Sequence, residues 1–150
     1  MEKSPLVSVI CLCYNQAQFV TESLESIKNQ SYKNFEVLIC DDSSKDNSVE
    51  VVDSWIKSNP HIPTTFIKHK ENKGITKSLN ELLNLSTGKY IQLLALDDLL
   101  MPDKFERHVA MLENAPENYT MVFSDAHLID QNSDLYQNKF LARHLSYLSL

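Results

Sequence analysis

A chain of 150 residues, 43% apolar and 23% charged, can fold as one globular domain that buries roughly 70% of its unfolded surface. Its net charge of −6 leaves no basic surplus to neutralise phosphates, which argues against a nucleic-acid partner. No stretch reaches the ~20 apolar residues of a membrane span, and the polar start Met1–Pro5 does not read as a leader. The expected location is the cytoplasm; peripheral attachment at the inner face of a membrane, or contact between copies, stays open.

Leu6–Leu12 is β-rich and predicts a first strand. Asn15 is a candidate cap for a helix in which Phe19, Val20, Leu24 and Ile27 recur at helical spacing, closed by Gln30-Ser31. Phe35–Cys40 predicts a second strand, ending in Asp41-Asp42. Ser44 or Asp46 then suits the N-cap of a helix carrying Val49, Val52, Trp55 and Ile56. Thr64–Lys68 is a weaker third strand. Gly74 opens a helix with Ile75, Leu79, Leu82 and Leu83, and Gly88 is expected to close it. Tyr90–Leu96 reads as a fourth strand buried on both faces and ends in Asp97-Asp98. Pro102 suits the first turn of a helix carrying Phe105, Val109 and Leu112. Tyr119–Ser124 predicts a fifth strand, and Leu141, Leu145 and Leu148 have helical spacing.

Strands alternating with helices at this spacing mean an α/β fold, a doubly wound and mostly parallel sheet flanked by helices. Ligands in such folds bind at the carboxyl edge of the sheet. Two strands delivering acid pairs to that edge suggest a divalent cation and a hydroxyl-rich ligand. The only glycines are Gly74 and Gly88, which excludes both the dinucleotide fingerprint and the phosphate loop of nucleotide hydrolases. Cys11, Cys13 and Cys40 lack metal-ligand spacing and read as buried reduced thiols in a reducing compartment. His61, His69, His108, His127 and His144 show no ligand spacing either.

Several segments resemble family 2 glycosyltransferases, the inverting group with the GT-A fold. Pro5–Asn15 with Ser26–Tyr32 resembles their opening, Asn34–Asp46 their second strand and acidic turn, Asn72–Gly74 and Gly88–Ile91 two short motifs at the family's spacing, and Leu96–Lys104 their metal motif. The resemblance runs from about Pro5 to Asp130, five motifs in order. It implies a Rossmann-like, nucleotide-diphospho-sugar transferase sheet. It also implies transfer of a sugar from a nucleoside-diphosphate donor, UDP by family habit, to a glycan or lipid-linked acceptor, as in polysaccharide biosynthesis. By the resemblance, Leu12, Tyr14, Asn15, Asp42, Asn72, Lys73, Gly74 and Asp97 hold the nucleotide-sugar. Tyr14 stacks on the base and Asp42 accepts from its N–H. Asp97 and Asp98 hold Mn²⁺ or Mg²⁺ against the diphosphate.

The chain departs from the family pattern where Ala95 takes the first acid position before Asp97-Asp98, Ser43 a glycine, Cys13 a threonine, Leu12 a proline and Leu79 an arginine. Family domains run past about 200 residues, so residues 1–150 are expected to be a single donor-binding domain that stops before the acceptor half. The general base is then expected beyond Leu150, and Asp125 and Asp130 fall nearer the donor. Two other classes compete: a nucleotide-sugar-binding module without activity, and a signalling receiver domain. The receiver domain needs acids after strand one, where Cys13-Tyr14-Asn15 stand instead.

Overall fold

Four strands pair in parallel in the order β3-β2-β1-β4: β1 (Val7–Cys13), β2 (Phe35–Asp41), β3 (Thr64–Lys68) and β4 (Tyr90–Ala95). The computed structural model describes residues 4–116 and 118–137. They fall into two units, one up to Ala110 and one from Met111 onward. Helices α1 (Ala17–Lys28), α2 (Ser48–Ser58) and α3 (Ile75–Leu85) follow β1, β2 and β3, and α4 (Lys104–Asn114) follows β4. The α/β, mostly parallel architecture is the expected one.

Because side chains alternate across a strand, β1 and β2 feed two separate cores. Val7, Val9, Cys11 and Cys13 with Phe35, Val37 and Ile39 point to one face, where α1, α2 and α4 bring Leu24, Ile27, Trp55 and Phe105. Phe35 and Phe105 meet edge to face, 5.9 Å between centroids. Ile10, Leu38 and Cys40 point to the other face, where, among the described residues, α3 brings Leu82. That asymmetry corrects the expectation for β4. Leu94 and Leu96 are buried in the first core, but Ile91 and Leu93, on the same face as Ile10, are exposed because α3 packs over β1 and β2 and not over β4. The apolar run encodes a strand, not burial on both sides.

Several local expectations change for reasons of hydrogen bonding. Gly88 is not a helix cap; α3 ends at Leu85 with extended Ser86 after it. Glycine is needed at 88 because an added Cβ would lie 2.6 Å from Ser8 N and 2.8 Å from Leu6 O. Neither Asn15, Ser44 nor Asp46 caps the helix assigned to it; Gln16 and Asn47 take the cap positions, without side-chain caps. Asp46 instead reaches between helices, Oδ2 accepting from Ala17 N at 3.0 Å and Oδ1 from Ser48 N at 3.0 Å. Ser48 Oγ accepts from Gln16 N at 3.0 Å, so the polar turn after β2 satisfies the start of α1. Gln30, fully buried, joins α1 to α4: Nε2 donates to Met101 O at 2.8 Å and Oε1 accepts from Phe105 N at 3.1 Å.

Cys11, Cys13 and Cys40 are free and buried, as expected. Burial pushes all their thiols up, Cys13 to about 12 and Cys40 to about 11. In the second unit, Tyr119–Ser124 forms no strand; a β-rich run becomes one only where a neighbouring edge takes its hydrogen bonds. The strands there are β5 (Leu128–Ile129) and β6 (Leu135–Gln137), an antiparallel pair. Asp130 Oδ1 organises their turn by accepting from Asn132 N and Asp134 N. The helix expected around Leu141–Leu150 lies outside the described residues.

Candidate donor site at the carboxyl edge of the sheet

The register sets one edge. Cys13 pairs with Asp41, Asp41 with Lys68, and Leu12 with Ala95. The residues that follow, Tyr14-Asn15, Asp42, His69 and Asp97-Asp98, therefore leave the sheet at the same end. The chain winds outward from β1 to β3 and then returns to the far side of β1 with β4. The switch point where such folds bind ligands thus lies between the ends of β1 and β4.

Asp97 and Asp98 are exposed between buried Leu96 and Leu100, which anchor the chain on either side. Leu96 N donates to Leu12 O at 3.1 Å, and Asp98 N to Ala95 O at 3.0 Å. Helix α1 fixes the segment from below: Ser23 Oγ donates to Asp98 O at 2.7 Å, and Ser26 Oγ accepts from Leu100 N at 3.1 Å. Partial desolvation by its surroundings and the neighbouring Asp97 charge raise the Asp98 carboxyl above its ordinary range. A cation bound there relieves that repulsion. Among the described residues no group of three or more His, Cys, Asp or Glu side chains could hold a metal. Two hard carboxylates fit an ion that takes its other ligands from phosphate and water, the usual habit of Mg²⁺.

Tyr14, the first residue after β1, is 46% exposed at the switch-point end of the strand. Asn15 adopts φ 54°, and its side chain and backbone staple β1 to the acidic turn: Oδ1 accepts from Lys45 N at 2.7 Å and N donates to Ser44 Oγ at 2.9 Å. Asp41 is turned inward onto Ser44, whose N it accepts at 2.9 Å, so its role is local turn chemistry. Ser43, with φ 68°, holds the left-handed conformation that a glycine takes without strain. Leu12 packs its side chain against the Ile10–Leu38–Cys40–Leu82 cluster, so what it offers a ligand is limited to its exposed fraction and backbone.

Asp42 is nearly buried, and its carboxylate organises the Asn72–Gly74 turn. Oδ1 accepts from Lys73 N and Oδ2 from Gly74 N, both at 2.8 Å. Asn72 Oδ1 also accepts from Gly74 N, at 3.1 Å, and Gly74 has φ 84° at the cap of α3. Lys73 Nζ reaches Glu81 at 3.2 Å. Burial alone would raise the Asp42 carboxyl, but the hydrogen bonds from His69, Lys73, Gly74 and Ser78 outweigh it and hold it below its ordinary range. His69, read from sequence as unremarkable, is buried here with Nδ1 at 2.8 Å from Asp42. Its partners lie 27 and 12 residues away, so no local spacing could reveal it. Only the β2–β3 register, once known, sets position 69 beside position 42.

The family model described as "Glycosyl transferase family 2" matches residues 8–148. The chain belongs to glycosyl transferase family 2. An uncharacterized glycosyltransferase of Haemophilus influenzae is 38% identical over 113 residues, which are 75% of this chain and 34% of that protein. A mannosyltransferase from Pyrobaculum calidifontis, solved in complex with GDP-Man and Mn²⁺, superposes with a TM-score of 0.71 at 28% identity over 75% of this chain and 34% of that one. Staphylococcus aureus TarS, solved with UDP-GlcNAc, gives a TM-score of 0.65 at 25% identity over 71% of this chain and 31% of that one. The chain spans less than half the length of the first curated relatives it matches. Among the described residues no helix of this family 2 chain is long and apolar enough to cross a membrane.

Proposed function

We propose that this family 2 chain carries the donor-binding part of an inverting glycosyltransferase, which moves a sugar from a nucleoside-diphosphate sugar to a glycan or lipid-linked acceptor. The observation that carries the reading is the exposed Asp97-Asp98 pair at the switch point, at the same end of the sheet as the exposed Tyr14. Tyr14 stacks on the base and Asp42 accepts from a base N–H. Asn15 and the Asn72–Gly74 turn contact the donor, and Asp97 lies against the ribose and diphosphate. Leu12 contributes the wall beside Tyr14. Asp97 and Asp98 hold Mn²⁺ or Mg²⁺, and such an ion, when bound, stabilises negative charge on the departing nucleoside diphosphate. The complexes with GDP-Man and Mn²⁺ and with UDP-GlcNAc in the similar structures support this assignment of donor class.

A donor-binding module without turnover is the second reading, favoured by Ala95 in place of the first acid of the family motif. Calorimetric titration of UDP and GDP, with and without Mn²⁺, on wild type and Asp98→Ala tests the site. Metal-dependent binding lost in Asp98→Ala is the expected result. No binding of UDP, GDP or dTDP to wild type under either condition overturns the donor site. Release of free sugar from a bound donor separates the enzyme from the module.

A further inference from the structure

Tyr14 stands between two peptide planes, and each is bonded to the turn after β2. On one side Cys13 O accepts from Asp42 N at 3.0 Å. On the other, Asn15 N shares a plane with the Tyr14 carbonyl and donates to Ser44 Oγ at 2.9 Å. A residue has only two soft backbone torsions, φ and ψ. Holding both flanking planes therefore fixes the backbone of Tyr14 and the direction in which its ring leaves the chain.

The two bonds differ in what maintains them. The first continues the parallel pairing of β1 with β2, backbone to backbone. The second depends on one hydroxyl. A serine hydroxyl has one hydrogen and two lone pairs. Ser44 gives its hydrogen to Asp41 Oδ2, so lone pairs are what it turns to Asn15 N. Asp41 Oδ1 also accepts from Ser44 N at 2.9 Å. That carboxylate is 1% exposed and hydrogen-bonded with the Cys13 thiol as well, so the group that aims the hydroxyl is itself fixed. Asn15 needs such a hold, because its φ of 54° is a conformation asparagine tolerates rather than prefers. Lys45 N, donating to Asn15 Oδ1 at 2.7 Å, closes the turn from the other side. The next two amides, Gln16 N and Ala17 N, go to Ser48 Oγ and Asp46 Oδ2 and serve the start of α1.

We infer that Ser44 is a positioning residue for nucleotide binding: aimed by Asp41, its hydroxyl holds the Tyr14–Asn15 peptide and so sets the Tyr14 ring before a base arrives. The inference rests on Tyr14 being the stacking residue proposed above. A ring on a fixed backbone loses less freedom on stacking than a ring on a loose turn, and the difference appears as affinity.

Titration of UDP with Mn²⁺ into the full chain, with melting temperatures recorded, tests the inference through a double-mutant cycle. Tyr14→Ala is expected to weaken UDP about tenfold, the loss of one stacked base. Ser44→Ala keeps the bond from residue 44 N to Asp41 and is expected to weaken UDP about fivefold. Ser44→Thr keeps the hydroxyl and is expected to stay within about twofold of wild type. Because Ser44 acts through the ring, Ser44→Ala is expected to cost less than about twofold more once Tyr14→Ala is in place. A role confined to the stability of the turn lowers the melting temperature without that coupling. Equal losses from Ser44→Ala with and without the ring, or a loss that Ser44→Thr shares, refute the positioning. Indifference of UDP binding to Tyr14→Ala defeats the stacking contact and everything built on it. Sensitivity to Tyr14→Ala with indifference to Ser44→Ala defeats only the positioning.

Discussion

Replacing Gly88 by alanine adds a single methyl group at the start of the segment that delivers Asp97-Asp98. That methyl carbon would lie 2.6 Å from Ser8 N, 2.7 Å from Ser8 Oγ and 2.8 Å from Leu6 O, all inside normal contact distance. Ser8 N and Leu6 O belong to the backbone at the start of β1, where rotamer changes give no relief. Moving residue 88 away stretches the bond from Gly88 N to Ser8 Oγ, now 2.8 Å, and the neighbouring one from Tyr90 N to Leu6 O, now 3.2 Å. Two weakened hydrogen bonds at about 1 kcal/mol each, added to overpacking of about 1–3 kcal/mol, give a loss of about 3–5 kcal/mol. Against a typical stability of about 5–15 kcal/mol, that is a large share. Urea unfolding followed by the fluorescence of Trp55, the single tryptophan and a buried one, measures it directly. A second variant sharpens the test. Adding Ser8→Ala removes the hydroxyl but not Ser8 N or Leu6 O, so it is expected not to rescue Gly88→Ala. A loss below about 1 kcal/mol, or rescue by Ser8→Ala, refutes the argument that backbone approach demands glycine here.

Ser43→Gly relieves a left-handed residue but gives up the hydroxyl's bonds to Lys70 O and Lys45 Nζ and adds chain entropy, so it is expected to change stability by less than about 1 kcal/mol in the same unfolding assay. Ser23→Ala leaves Asp98 O without its donor, and is expected to cost about 1–2 kcal/mol and to weaken Mn²⁺-dependent nucleotide binding, read by urea unfolding and calorimetry. Leu82→Ala empties the core under α3 and is expected to cost about 2–5 kcal/mol by the same unfolding. The pH dependence has a definite sign. Asp42, Asp46 and Glu36 are held below their ordinary range, so the stability they give is complete above the unfolded carboxyl pKa and is lost as pH falls through the lowered values. Asp98 is raised and acts the opposite way: its contribution is present below the unfolded pKa and is lost as pH rises through the raised one. Melting temperature followed from about pH 7 to about pH 3 is therefore expected to fall less steeply for Asp42→Asn than for wild type, and more steeply for Asp98→Asn.

What the sequence alone determined was the order of elements through α4, the parallel α/β class, the family, and the two acid pairs at strand ends. Those features are local: hydrophobic period, turn residues and adjacent carboxylates are set by neighbours a few positions apart. The division of labour between the acids was decided only in three dimensions. Asp41-Asp42 and Asp97-Asp98 look alike on paper, yet Asp41 faces Ser44 and Asp42 is engaged by His69 and the Asn72–Gly74 turn, while Asp97 and Asp98 remain exposed. Tertiary register likewise made Gly88 a packing residue rather than a cap and left one face of β4 open. His69 shows the limit most plainly. Its meaning depends on partners 27 and 12 residues away, brought to it by the pairing of β2 with β3 and the seating of α3, and no local pattern in a chain can encode a contact that its own folding has yet to create.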